Sequence, residues 1–226
     1  QKINLNKYKN FKNFNIIGMG GSSLGIKAIY SFLKPKIKKN LFFIDNINTK
    51  KNHNKKNKIL NIIISKSGNT LETISNFENL KNKKNNLFIC ENSNNYIRRL
   101  ANKLKNEIVE HRNYIGGRYS VLSEVGMLPA TLMGLNTKKF KKFDYLIKNK
   151  KFINLLIENV SSTVSLINKK KLNSIILNFD ENSEDLFKWY QQLISESLGK
   201  KSKGLLPVVS NLPRDNHSMM QLYLDG

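Results

Sequence analysis

One short run sets what this chain can fold into. Residues 59–64 read Ile-Leu-Asn-Ile-Ile-Ile, and Ser65-Lys66-Ser67-Gly68-Asn69-Thr70 follows at once. A strand apolar on both faces needs cover on both sides, which is the situation of a strand inside a parallel sheet. A helical pattern comes next, over 70–80, with Leu71, Ile74 and Phe77 on one face. The same alternation surrounds it. Strands are expected at 14–17, 41–44, 86–90 and 107–109, and helices over about 22–33 and 93–105. This βαβ rhythm predicts an α/β fold with a parallel sheet, right-handed crossovers and helices on both faces, a three-layer α/β/α sandwich.

A Gly-rich loop is expected at 115–121, then helical patterns over 121–134, 139–149 and 151–168. A second βαβ rhythm follows: a strand at 174–178, a helix at 184–198, a strand at 205–209 and a last helix from about Asn216. It repeats only the opening elements of the first. The expected division is a first domain over 1–145 and the start of a second over 146–226. The chain begins with Gln1 and stops at Gly226 in the middle of that rhythm, so it reads as a fragment with its second domain truncated.

Charge raises the question of nucleic acid. There are 39 Lys+Arg against 16 Asp+Glu, a formal net charge of +23. The basic residues are nearly all lysine, and the arginines are Arg98, Arg99, Arg112, Arg118 and Arg214. Base-edge readout favours arginine forks. The lysines stand among asparagines, as over 50–58 and 81–86, in polar stretches between apolar segments. A solvated surface accounts for them, and no specific nucleic-acid partner is expected. No apolar run approaches the roughly 18 residues of a membrane span. The single cysteine, Cys90, lies in an apolar strand as a small hydrophobe and fits a reducing, cytoplasmic setting. Three scattered histidines and one cysteine give no metal spacing, and His53 and His111 have no motif around them.

Five short segments could carry chemistry. The first is 65–73, where Ser65, Ser67, Thr70 and Thr73 surround the start of a helix after the most apolar strand. A helix amino end offers free N–H groups to a phosphate. The spacing is not that of a nucleotide-triphosphate loop and suits a compact phosphomonoester; an ordinary Ser/Thr helix cap explains the same residues. The second is Gly18-Met19-Gly20-Gly21-Ser22-Ser23, where glycines between strand and helix allow close approach to a ligand or merely a tight turn. The third is Gly116-Gly117-Arg118-Tyr119-Ser120, an arginine that can clamp an anion or pair on the surface. The fourth is Gln192 and Glu196, one helical turn apart, with Trp189 near the same side; a carboxylate there is a candidate general base or an exposed helical Glu. The fifth is Arg214-Asp215-Asn216-His217-Ser218, with His217 at an expected helix start, suited to proton exchange or to capping.

These segments, in this order from residue 16 to 226, resemble the glucose-6-phosphate isomerase family in its shorter bacterial form. The resemblance implies two sugar isomerase (SIS) domains, each built on a parallel five-stranded sheet. It implies interconversion of glucose 6-phosphate and fructose 6-phosphate through a cis-enediolate, with no cofactor or metal. Ser65, Ser67, Thr70 and Thr73 would hold the phosphate, with Lys66 near the sugar and Gly21 and Ser22 along its side. Glu196 would move the proton between C1 and C2, Arg118 would stabilise the anion and Gln192 would position the sugar. His217 would assist ring opening and, in that family, reaches the site from the partner subunit of a homodimer. Asn69 stands where many bacterial members have Thr, and Leu198 replaces a common polar residue. The family's long C-terminal portion, with a catalytic lysine, lies beyond these 226 residues, so this piece alone is expected to be weakly active or inactive. Two alternatives remain: a non-catalytic phosphosugar-binding SIS module, and an isomerase of another phosphosugar.

Overall fold

The computed structural model describes residues 4–47 and 58–226. The Lys/Asn stretch at 50–57, with His53, lies outside these residues. The first unit runs β1 (Asn13–Ile17), α1 (Leu24–Phe32), β2 (Asn40–Ile44), β3 (Ile59–Ile64), α2 (Leu71–Glu78), β4 (Asn86–Cys90), α3 (Tyr96–Lys103) and β5 (Glu107–Glu110). Its five strands form one sheet in the order β2-β1-β3-β4-β5, and every pairing is parallel. The expected strands at 59–64 and 86–90 coincide with β3 and β4.

Each strand feeds two cores, because successive side chains point to opposite faces. Phe14, Ile16, Leu60, Ile62, Ile64, Leu87 and Ile89 pack on one face against Ile26 and Ile29 of α1. Ile17, Ile63, Phe88 and Cys90 pack on the other against Phe77 of α2 and Ile97 and Ala101 of α3. Ile62 and Ile63 are both fully buried, and each such side chain contributes about 1.5–3 kcal/mol by leaving water. At the amino end of the α2/α3 face three strands carry asparagine in register. Asn15 Nδ2 donates to Asn61 Oδ1 at 2.8 Å, and Asn61 Nδ2 donates to Asn86 Oδ1 at 2.9 Å. The row also donates to the carbonyls of Asn82 and Lys83 and so ties down the α2–β4 connection.

The middle of the chain departs from the simple helical expectation. The pattern over 121–134 breaks at Ser123, between a 3-10 turn at Gly117–Leu122 and α4 (Glu124–Leu132). Ser123 donates to the Ser120 carbonyl at 2.7 Å and accepts from Val125 N–H, so it closes one element and caps the next. The pattern over 139–149 divides into a 3-10 turn at Thr137–Lys141 and α5 (Asp144–Lys148). α6 (Lys150–Asn168) follows.

The second unit has β6 (Asn173–Asn178), α7 (Glu184–Leu198), β7 (Leu206–Asn211) and α8 (Met220–Asp225). Among the described residues its sheet has two strands, β6 and β7, paired parallel. α7 packs along α1 and joins the two units. The helix expected near Asn216 begins instead at Met220, and Arg214–His217 form a 3-10 turn. The reason is Asp215: its Oδ2 accepts from Asn211 N–H at 2.7 Å and from Ser210 Oγ at 3.1 Å, which holds the turn back against β7. α6 buries none of its residues, and Leu155, Ile157, Val160 and Val164 stand half-exposed along it.

Candidate active site

A parallel sheet brings the carboxyl ends of its strands to one edge, and ligands bind beyond that edge. Here β1 ends at the Gly18–Ser23 loop, β3 ends at 65–70, and β4 ends at Glu91. With the Gly117–Leu122 turn and α7 they enclose a cleft of about 420 Å³. Larger clefts of about 540 and 550 Å³ lie beside β5 and share Arg112 and Glu124, an ion pair at 3.2 Å. The smaller cleft is where unlike functional groups converge.

The loop after β3 is fixed from within. Ser65 Oγ lies 2.9 Å from Thr70 Oγ1 and accepts from Gly68 N–H at 3.1 Å. Gly68 takes a φ of +67°, and a Cβ there would run into the Asn95 side chain. No side chain caps the amino end of α2. Its first N–H groups are therefore left for a ligand, and Ser67 and Thr70 line the cleft beside them. Lys66 Nζ is 3.5 Å from Glu91 Oε1 and donates to the Asn113 carbonyl at 2.8 Å. That bridge sets an ammonium at the cleft wall.

The opposing loops meet at glycine. A Cβ on Gly21 would strike the Gly117 carbonyl, so only glycine lets the β1 loop and the Gly117–Leu122 turn touch. Ser120 Oγ closes the turn by donating to the Gly117 carbonyl at 2.7 Å. Arg118 then reaches α7: Nη1 is 3.3 Å from Glu196 Oε2, and Nε donates to Ser197 Oγ at 3.0 Å. The other Glu196 oxygen, Oε1, accepts from Gln192 Nε2 at 2.7 Å. Trp189 packs against the core and donates its indole N–H to the Arg118 carbonyl at 3.0 Å. The hydroxyl of Tyr119 first, then the Glu196 carboxylate, make the Arg118 guanidinium still harder to deprotonate. The hydrogen bond to Ser197 and the neighbouring Arg118 hold the Tyr119 phenol below its ordinary range. The cleft thus presents one carboxylate held by two donors, a permanent cation, an ammonium, and the hydroxyls of Ser67 and Thr70 beside an uncapped helix end. Among the described residues no group of three or more His, Cys, Asp or Glu could hold a metal ion.

The family model for phosphoglucose isomerase matches residues 5–205. The chain belongs to the phosphoglucose isomerase family. Glucose-6-phosphate isomerase of Methanocaldococcus jannaschii is 35% identical over 99% of this chain, and the match covers 60% of that relative. The Campylobacter jejuni enzyme of the same name is 30% identical over 95% of the chain and 58% of its own length. The chain therefore spans a little over half the length of these curated relatives. Among solved structures, a glucose-6-phosphate isomerase from Chlamydia trachomatis shares the fold with a TM-score of 0.75. It is 21% identical, over 96% of this chain and 48% of that one. A hypothetical protein from Thermus thermophilus shares it at 0.78, with 22% identity over 98% and 60%.

Most of the residues expected from the sequence to form the site meet in this cleft. Gly21, Ser22, Lys66, Ser67, Thr70, Arg118, Gln192 and Glu196 line the cleft together. Three others lie elsewhere. Ser65 is buried and spends its hydroxyl on the loop. Thr73 is fully buried on α2, and its Oγ1 has no partner. His217 closes the Arg214–His217 turn and is not part of the cleft lining. Glu91 lines the cleft without having been named in any candidate segment, and Met19 lines it as part of the glycine segment after β1. Glu91 follows β4 directly, so the rule that ligands sit beyond strand carboxyl ends would have found it. Met19 carries no chemical signal of its own.

Proposed function

We propose that this chain carries the catalytic residues of an aldose–ketose isomerase that interconverts glucose 6-phosphate and fructose 6-phosphate. The observation that carries this reading is the Glu196 carboxylate held by Gln192 and Arg118 over a cleft that also receives the uncapped amino end of α2. An aldose–ketose shift needs a base near a carbon acid, a cation near the developing oxyanion and a fixed handle. Ser67, Thr70 and the α2 N–H groups serve as the handle for the phosphate. Glu196 takes the proton from C2 of the open-chain aldose, and the electron pair passes into a cis-enediolate. Arg118 stabilises the negative oxygen, the hydroxyl proton passes from O2 to O1, and Glu196 returns the carbon proton at C1, which leaves the carbonyl at C2. Lys66 sits at the cleft wall, near the sugar hydroxyls.

The reading brings further proposals. The boundary between two SIS units falls near residue 145, with the second unit completed by chain beyond these residues. The protein acts as a cytoplasmic homodimer in which His217 serves ring opening in the cleft of a second copy. The position of His217 away from its own cleft supports this. Glu196→Gln in the full chain tests the central assignment. Isomerisation should fall by about a hundredfold to ten-thousandfold while phosphosugar binding, followed by calorimetry, survives. Undiminished turnover would remove Glu196 as the base. Retained binding by an unaltered chain that never isomerises would favour the non-catalytic phosphosugar module.

A further inference from the structure

The isomerase reading assigns work to Arg118 and Glu196 but leaves open what keeps a long, flexible arginine aimed. Two side chains next to them in sequence answer this. Arg118 and Tyr119 are consecutive on the Gly117–Leu122 turn, and Glu196 and Ser197 are consecutive in the last turn of α7. The two pairs interlock. Arg118 Nη1 meets Glu196 Oε2 at 3.3 Å, Arg118 Nε donates to Ser197 Oγ at 3.0 Å, and Tyr119 Oη lies 2.8 Å from Ser197 Oγ. The guanidinium carbon stands 4.6 Å from the centre of the Tyr119 ring.

A guanidinium is planar, so fixing Nε–H on one acceptor fixes the direction of both terminal nitrogens. The ring of Tyr119 limits its tilt. The Trp189 indole holds the Arg118 backbone from the core side at 3.0 Å. Arg118 uses Nε on Ser197 and Nη1 on Glu196, which leaves donors for a substrate oxygen. The same serine sits beside the base on α7, so one hydroxyl holds cation and base in register across two distant parts of the chain.

We propose that Ser197 is a positioning residue for Arg118, supported by the Tyr119 hydroxyl, and that this clamp sets the spacing of base and cation for proton transfer. It rests on the isomerase reading and adds two residues to it. Neither side chain needs to touch the sugar.

The test uses the full chain with two independent readouts. In steady-state kinetics Ser197→Ala should lower kcat about ten- to hundredfold, with KM for glucose 6-phosphate within about twofold, because the phosphate handle is untouched. Ser197→Thr, which keeps the hydroxyl, should restore most of kcat. Tyr119→Phe should cost less, about three- to tenfold, and the double variant should be no worse than Ser197→Ala, since the tyrosine hydroxyl acts through the serine. The second readout is solvent exchange of the Arg118 Nε–H by nitrogen-edited NMR: slow in the unaltered chain and in Tyr119→Phe, fast in Ser197→Ala. Unchanged Nε–H exchange in Ser197→Ala overturns the clamp whether or not the chain is active. A folded Ser197→Ala with kcat within twofold of the unaltered chain overturns its catalytic use. A protected Nε–H in a chain that turns over no phosphosugar overturns the isomerase reading and the catalytic use with it, and leaves the clamp geometry standing.

Discussion

Single atoms decide the shape of the cleft at Gly68. Its φ of +67° and the Asn95 side chain where a Cβ would stand both exclude larger residues. Gly68→Ala should lower stability by about 1–3 kcal/mol, read as a shift of the urea midpoint, and should weaken phosphosugar binding as the loop re-forms. A neutral Gly68→Ala would mean that the loop does not need this turn. His111 makes a different residue-scale prediction. It is buried at 2% exposure, and burial lowers its pKa from the ordinary imidazole value of 6.5, against the opposing effect of the Arg112 carbonyl. The neutral form is the one that fits inside, while the unfolded chain takes up the proton more readily. Its contribution is therefore complete above pH 6.5 and is lost progressively as pH falls through the folded-state value. Urea midpoints from pH 7.5 down to 5 should fall, and His111→Gln should flatten that slope. An equal slope in the variant would assign it to other groups. The depressed carboxylates Asp180, Glu184 and Asp215 act in the more acidic carboxylate range. The motif residues Gly21, Lys66, Arg118 and Glu196 were legible because each belongs to a short local pattern. The work of Ser197 and Tyr119 was not, because their hydroxyls meet only when α7 crosses the Gly117–Leu122 turn.

At the scale of elements, the buried asparagine row links β1, β3 and β4 where apolar side chains would be expected. Asn61 is 1% exposed and bonds to Asn15, Asn86 and the Asn82 carbonyl. Asn61→Ala would strand the Asn15 donor and the Asn86 acceptor in the sheet interior. Each orphaned group costs about 1–3 kcal/mol, so the variant should unfold at markedly lower urea. A loss under 1 kcal/mol, read from the same curves, would show that water replaces the row. The strands were legible because runs such as 59–64 and 86–90 are apolar enough to be buried on both faces. α7 was legible from its amphipathic period, and its bounds match the expected 184–198. Elements whose ends depend on polar contacts were not. Ser123 divides one helical pattern, and Asp215 pulls the last turn back to β7. In both cases periodicity continues through the break, and a side-chain hydrogen bond sets the boundary.

For the whole molecule, the net charge of +23 would, on the proposed isomerase reading, give an anionic sugar phosphate a field to follow. Raising salt from about 20 to 200 mM should lower kcat/KM roughly three- to tenfold through screening, with kcat nearly constant. Indifference to salt would confine the charge to solvation. The half-exposed apolar side chains of α6 and the two-stranded β6–β7 sheet belong to a chain whose match covers 60% of the Methanocaldococcus jannaschii relative and 58% of the Campylobacter jejuni one. This agrees with a second unit that further chain completes. The isomerase reading proposed above joins the cleft, the clamp and the loop after β3 through one chemical event, proton transfer by Glu196 between neighbouring carbons. Fructose 6-phosphate incubated with the full chain in deuterium oxide, followed by proton NMR, reports that event. Deuterium should appear at C2 of the glucose 6-phosphate formed, and Glu196→Gln should slow its entry by at least about a hundredfold. Interconversion and deuterium incorporation at an equal rate in Glu196→Gln would contradict proton transfer by this carboxylate.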